Sequence, residues 1–477
     1  MVPDSFSTGF EAKPLAKDEK KALGIVLTGN FLEYFDLMLF SHLAFVVSPY
    51  FMPKTDPTVA KLLTILTFSS SFVIRPFAAY FWGYIGDNYG RVVVLSYTTM
   101  IMAVTCVLIA NVPSYAEIGI YATVLIIICR ALQGFSSAGE AKGAEIFVAE
   151  VVPHFPKIFL ASAMVPITCD LGGLLATLLG SVCLSIAPEE GWKLCFYIGA
   201  AIAFCSSLSR KKLRETKEFL DHMEHKNTKP KPWQRYFERR NFMALMGLNM
   251  ICPTAFFFAY SYGSDLLKEQ IGLPAHIILL NNSALLVLEV FFLVFCARLA
   301  YVFNPFSILK FRTIASLVIV PVCFGFLYWH TTHVTVFLTQ LFVLLSTASF
   351  DPATPLIIRS FNIRSRFSRY SKAWAFAKAF MYLSTGYLTF SLDRLFGLWG
   401  VLGLLLFFSG VFLISLYAFV PYNQMLPTYI KIRKKQLYTT SSKKPFKNVD
   451  WLLQSLHKEV PLFPSYNISE LKEWAEK

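Results

Sequence analysis

Charged side chains are scarce: Asp, Glu, Lys and Arg make up 16% of the 477 residues, where soluble domains average about 25%. With 55% hydrophobic residues and a mean hydropathy of +0.52, that deficit excludes an ordinary soluble fold. Acid is scarcer than base, 30 residues against 44, for a net charge of +14. The basic residues sit in short segments between apolar stretches rather than on a periodic helical face, which points away from nucleic acid. The nine cysteines are scattered through or at the ends of apolar stretches without the close spacing of metal ligands or redox pairs, so they read as small buried hydrophobes. The eight histidines are dispersed. No phosphate-cradling loop, zinc spacing or nucleophile elbow occurs, so neither ATP hydrolysis nor enzyme chemistry has a site, and no cofactor is expected.

What the chain does have is long apolar runs. A helix crossing a bilayer needs about 20 apolar residues, and runs of that order predict twelve spans at 22–50, 59–82, 92–111, 116–138, 158–187, 192–209, 241–262, 275–301, 306–328, 332–350, 371–392 and 397–420. The first run is too long for a signal-peptide core and lacks a small-residue cleavage site, so it is expected to remain as a helix. Taken alternately, one set of connections holds most of the Lys and Arg, whereas the other holds only Lys54, Lys193, Lys268 and Arg394. Basic residues collect on the cytoplasmic side, so both termini are predicted inside. The basic connection at 210–240 divides the spans six and six. The expected organisation is therefore a cytoplasmic N-terminus (1–21), a six-helix bundle (22–209), a linker (210–240), a second six-helix bundle (241–420) and a basic cytoplasmic tail (421–477) that is solvated, touches lipid headgroups or meets a partner. Two halves of this kind suit a rocking-bundle transporter with its substrate held midway across the bilayer.

Between the second and third spans the chain reads GYIGDNYGR, placing Gly83, Gly86, Gly90, Asp87 and Arg91 in one turn. Glycines permit positive φ and close helix approach, and the Asp and Arg can pair with neighbouring helix ends as a gate. The pattern resembles the major facilitator superfamily loop, G-x-x-x-D-x-x-G-R. Further segments resemble its metabolite:proton symporter family: GNFLEYFD from Gly29 to Asp36, Arg75-Pro76, RALQGFSSAGE from Arg130 to Glu140, IFVAEVVP from Ile146 to Pro153, Asp170 before two glycines, and LRETKEF from Leu213 to Phe219. The fourth span looks most like the proline/betaine branch. The corresponding loop of the second half, ARLAYVFNP from Ala297 to Pro305, lacks the glycines and the acid. Lys142, and Val92 after Arg91, also depart from the family's pattern.

A charge inside a span is costly unless paired or wetted, so each is a functional candidate. Glu33 and Asp36 fall on one face of the first helix and either take up a proton or brace Arg75 or Arg130. Arg130 with Gln133 can bind a carboxylate, or pair structurally with Glu33 or Asp36; the resemblance also implies a tie to proton transfer. Glu140 and Glu145 flank Lys142 as an expected salt-bridge cluster. Asp170 has a cavity or loop-contact role by resemblance. Glu289 and Lys378 are secondary candidates whose opposite signs suggest mutual pairing. The aromatic cluster from Phe256 to Tyr262 invites a cage for a quaternary ammonium, although packing and lipid-facing aromatics are far commoner in such helices.

The resulting expectation is an all-α membrane protein of twelve helices in two halves with the major facilitator fold. It acts in a bacterial cytoplasmic (inner) membrane as a monomer that imports a small organic solute by proton symport. The proton gradient is its energy source. Glu33, Asp36, Arg130, Gln133, Glu140 and Asp170 form the coupling and substrate set, and Arg75, Gly83, Gly86, Asp87, Gly90 and Arg91 the gating set. Proline or betaine leads among solutes, with an organic acid as alternative. A non-transporting membrane sensor is the reading of another class.

Overall fold

The computed structural model describes residues 17–52, 67, 70–152, 157–187, 190–210, 213–224, 232–347 and 351–419. Most of the predicted N-terminal segment, the start of the second span, part of the linker and the C-terminal tail lie outside the described residues. Among those described, nine helices are long and apolar enough to cross a membrane. The protein is an all-helical, multi-pass membrane protein.

The helices before the linker are α1 (Lys17–Phe51), α2 (Arg75–Asn88), α3 (Arg91–Asn111), α4 (Ile120–Val151), α5 (Lys157–Ile186) and α6 (Gly191–Arg210). After it come α7, in which Pro232–Leu248, Ile251–Phe257, a π-helical turn at Phe258–Tyr262 and Gly263–Glu269 follow one another, then α8 (Ala275–Leu299), α9 (Pro305–Trp329), α10 (His333–Thr347), α11 (Arg366–Phe396) and α12 (Leu398–Ala418). Short helices at Lys217–Glu224 and Thr354–Arg359 lie between them. Local chemistry sets several boundaries. Pro76 has no N–H with which to continue the helical ladder, and α2 starts one residue before it, after a turn at Ile74. Gly90 adopts φ +111° between α2 and α3, a conformation that needs glycine.

Helices α1, α3, α4, α5 and α6 share a core around Phe35, Leu39, Cys106, Ile126, Trp192 and Phe196. A second core crosses between the two helix sets: Ala78, Trp82 and Val94 pack with Leu245, Ile357, Phe367, Tyr370 and Trp374. The two sets meet chiefly through α2 against α11 and α5 against α8, the latter through Ala163 and Ile167 facing Leu293 and Ala297. Six of the nine cysteines are buried, none in a disulfide.

Candidate functional site

At the end where α2 turns into α3, a polar interlock joins the two helix sets. The Asp87 carboxylate accepts the N–H of Phe367 and of Ser368, each at 3.0 Å. It thereby satisfies amides in the first turn of α11, which have no partner within their own helix and form its positive end. Close approach is possible because α2 presents glycines. A Cβ on Gly83 would lie 2.9 Å from the Ser368 Cα, and one on Gly86 would lie 2.6 Å from Cγ of Phe367. We expect Gly86→Leu to force α2 from α11 at a cost of about 1–3 kcal/mol. Amide hydrogen exchange at Phe367 and Ser368 should rise about tenfold or more, whereas Gly24→Leu, where a Cβ meets nothing within 4 Å, should leave it unchanged.

Behind Asp87 sits a buried ion network. Arg91 donates to Glu150 through Nε at 3.1 Å and Nη2 at 3.0 Å, and to the Gly86 carbonyl at 2.6 Å. Arg366 of α11 reaches the same Glu150 at 2.8 Å and Glu218 at 2.9 Å. Thr216 donates to Glu150 at 2.7 Å, and the Phe219 ring lies 4.6 Å beneath the Arg91 guanidinium. Glu215 accepts the Val92 N–H at 3.0 Å, capping α3. Burial pushes the Glu215 carboxyl above its ordinary range, opposed by the backbone amides of Thr216 and Val92. The segment from Leu213 to Phe219 thus supplies four groups to this one interlock. Arg359 adds donation to the Ala149 carbonyl at 2.7 Å.

Deeper in the N-terminal helices the carboxylates expected to act together have separate surroundings. Asp36 accepts from the Cys106 thiol at 2.9 Å and from Gln133, whose amide oxygen accepts from Arg130 at 2.8 Å. Gln133 therefore relays Arg130 to Asp36. The Arg130 guanidinium also stacks 4.1 Å from the Phe40 ring. Glu33 accepts from Ser137 through Oε1, while its buried Oε2 has no hydrogen-bond partner among the described residues. Glu140 pairs with the fully buried Arg210 and accepts from Thr98 at 2.6 Å. Lys142 pairs with Glu145, which in turn accepts from Tyr370 of α11.

Several sequence expectations require correction. Glu140 is not part of a cluster around Lys142; it turns to Arg210, because α3 packs against both α4 and α6 and brings the end of α6 to that carboxylate. Glu289 and Lys378 do not share a pair. Helix α8 packs on α5, which puts Glu289 within electrostatic reach of Asp170 and Arg312, while α11 packs on α2 and on the Ile251–Phe257 segment of α7, the latter setting Lys378 Nζ 3.6 Å from the Cys252 sulfur. Arg75 lies apart from the gating loop. It begins α2, so a rise of about 1.5 Å per residue holds it about 20 Å from the Asn88 end. There its guanidinium stacks between Phe72 at 4.7 Å and Trp374 at 5.2 Å. The rings between Phe256 and Tyr262 pack: Phe258 lies 5.2 Å from Phe324, and Tyr262 donates to Asp393 at 2.8 Å.

Sequence reasoning assigned no role to Glu150, Thr216, Glu218, Arg210, Arg366, Tyr370 or Trp374. Three of them stand inside quoted motifs, and Arg210 begins the linker, so their positions were visible but their partners were not.

Comparison with known proteins fits this arrangement. The family model described as Major Facilitator Superfamily matches residues 26–388. The proline/betaine transporter of Salmonella typhimurium is 35% identical over 214 residues, 43% of this chain and 42% of that protein. The glycine betaine/proline/ectoine/pipecolic acid transporter OusA of Dickeya dadantii is 34% identical over 230 residues, 44% of this chain and 45% of its own length. The match thus spans less than half of either relative. Among solved structures, the proton:xylose symporter XylE aligns with a TM-score of 0.66 at 13% identity, covering 83% of this chain and 94% of that one. The human organic anion transporter MFSD10 aligns with a TM-score of 0.60 at 16% identity, covering 84% and 99%. Those identities speak for the fold alone, but the family match takes in α1 to α10 and most of α11, and the chain belongs to the Major Facilitator Superfamily.

Proposed function

We propose that the chain is a secondary transporter that imports a small organic solute of the proline/betaine type with protons, by alternating access. The observation that carries the reading is the Asp87 interlock. It is made of hydrogen bonds from α11 to Asp87 of α2 and an ion pair from Arg366 of α11 to Glu150 of α4, and such contacts can be exchanged for water when the two helix sets rock apart. An apolar seal of the same area would resist that exchange. The likeness of the N-terminal helices to proline/betaine transporters supports the solute class. An organic acid is the alternative solute.

In this reading the protein sits in a bacterial inner membrane as a monomer with both termini in the cytoplasm. The interlock closes the cytoplasmic end, and the proton gradient is the energy source. Glu33 and Asp36 carry the coupling proton. Both are buried, three residues apart on α1, and each touches α4, so a change in either charge is felt where α4 meets α11.

Uptake into proteoliposomes under an imposed pH gradient, with proline, betaine and several carboxylates, tests this. Wild-type protein should accumulate one of them against its gradient. Glu33→Gln and Asp36→Asn should each cut proton-driven accumulation about tenfold or more while downhill exchange persists. Undiminished proton-driven accumulation in both variants would sink the coupling assignment, and no flux of any solute by folded protein would favour a sensor instead.

A further inference from the structure

One indole gathers three cations. Trp374 of α11, only 4% exposed, has Lys142 Nζ at 4.8 Å, the Arg75 guanidinium at 5.2 Å and Lys378 Nζ at 5.6 Å from its ring. Lys142 is neutralised by Glu145. Arg75 and Lys378 are in no ion pair among the described residues. Arg75 is 4% exposed, and its Nε and Nη2 meet no acceptor among the described residues. The nitrogen of Lys378 has only a thiol, Cys252, at 3.6 Å. A buried guanidinium without an acceptor forfeits its hydration and gains little from ring faces alone.

The two cations come from opposite sides of the molecule. Arg75 belongs to the N-terminal helices and Lys378 to the C-terminal ones. Each stands the same distance from the interlock: Arg75 is thirteen residues from the Asn88 end of α2 and Lys378 twelve from the Arg366 start of α11, about 18–20 Å along each helix. In a bilayer core of about 30 Å that is near mid-depth.

From this we infer that Arg75 and Lys378 bind the carboxylate of the solute, one cation from each helix set, over the Trp374 ring. The inference deepens the transporter reading and rests on it. Guanidinium offers a planar pair of donors to a carboxylate and ammonium a compact point charge, so together they cover both carboxylate oxygens. The same geometry excludes a quaternary-ammonium cage here, because the protein's own cations already occupy the neighbourhood of the Trp374 and Phe72 rings. The ammonium of a zwitterion must lie away from Trp374, on the side of Glu33, whose Oε2 has no partner among the described residues and whose charge interacts with Arg75. Binding one solute by both sets also draws them together, as a transport cycle requires.

The experiment is binding to the purified full chain in nanodiscs, followed by thermal stabilisation and by tryptophan fluorescence. The probes are betaine, proline and succinate, each with a counterpart lacking the carboxylate: choline, prolinamide and succinamide. The expected result is that at least one carboxylate probe binds, and that its counterpart is weaker by about ten- to hundredfold. Lys378→Gln and Arg75→Gln should each weaken the carboxylate probe by a similar factor without weakening the counterpart, with Lys378→Arg restoring part of the loss. Which carboxylate binds separates a zwitterion from an organic anion.

Equal binding of probe and counterpart overturns the inference, as does wild-type affinity in a folded Lys378→Gln protein or no binding of any probe. Lys378 is half-buried, so that variant remains informative if Arg75→Gln does not fold. Proteoliposome flux distinguishes the two levels. Binding that depends on Arg75 and Lys378 without flux sinks the transporter reading and keeps the site. Flux with unchanged KM in both variants does the reverse.

Discussion

Glu150→Gln should loosen the interlock more than any other single change in it. The Glu150 carboxylate is the shared anion of two buried guanidinium groups, Arg91 on its own side and Arg366 across the interface, and it also accepts from Thr216. Arg91 and Arg366 are 0% and 1% exposed. Neutralising the anion leaves both cations in low dielectric with insufficient counter-charge, and breaking a buried pair in that way costs about 3–5 kcal/mol. Arg366 retains Glu218, whose side chain is 30% exposed and holds it less firmly. Asp87 loses no bond directly. The donors it accepts from are the first-turn amides of α11, however, and Arg366 opens that turn, so a displaced Arg366 carries Phe367 and Ser368 with it. Hydrogen exchange at those two amides in nanodiscs should therefore accelerate about hundredfold or more, with α12 unaffected. Glu218→Gln, which removes one partly exposed contact, should change it by less than about fivefold. Unchanged exchange in Glu150→Gln would show that the network is not what holds α11 against α2.

The contrast between Asp87 and Glu150 explains how much was readable in the chain itself. The loop from Gly83 to Arg91 is legible because the glycines, the acid and the base fall within one turn, and the spacing alone says that helices approach closely there. The all-helical membrane fold is legible for a similar reason: a bilayer demands long apolar runs, and hydropathy reports them directly. What Asp87 touches is another matter. Its acceptor role is fulfilled 280 residues away, and Arg91 finds Glu150 only because α3 and α4 pack at one end. No local pattern encodes such partners. Signs of charge misled at Glu289 and Lys378, since α8 and α11 take different neighbours across the interface. Proximity in sequence misled at Arg75, which shares a helix with Asp87 but stands at its far end. The motif from Leu213 to Phe219 is the intermediate case. Its residues could be recognised as a pattern, but that Glu215 caps α3 while Thr216 and Glu218 brace the arginines of the interlock needed the fold.

The second large effect is expected inside the N-terminal helices, at Glu140 and Arg210. Arg210 is fully buried and ends α6; it donates to Glu140, to Thr99 and to the Leu95 carbonyl. Its guanidinium fills the space a Cβ on Gly29 would need, so α1 has no side chain at that point. Arg210→Met leaves Glu140 buried with only hydroxyl donors, and Glu140→Gln leaves Arg210 buried against neutral acceptors. Each should destabilise the protein by about 3–5 kcal/mol, because the remaining charge keeps its desolvation cost and loses its counter-ion. Removing both charges removes that cost from both sides, so the Glu140→Gln/Arg210→Met protein should recover most of what either single variant loses. Denaturation midpoints of the four proteins in the same detergent complete the cycle. A double variant as unstable as the sum of the singles would mean that Arg210 acts through its contacts with α1 and α3 rather than through Glu140, and Gly29→Ala, which displaces the guanidinium without deleting it, should then reproduce the loss by itself.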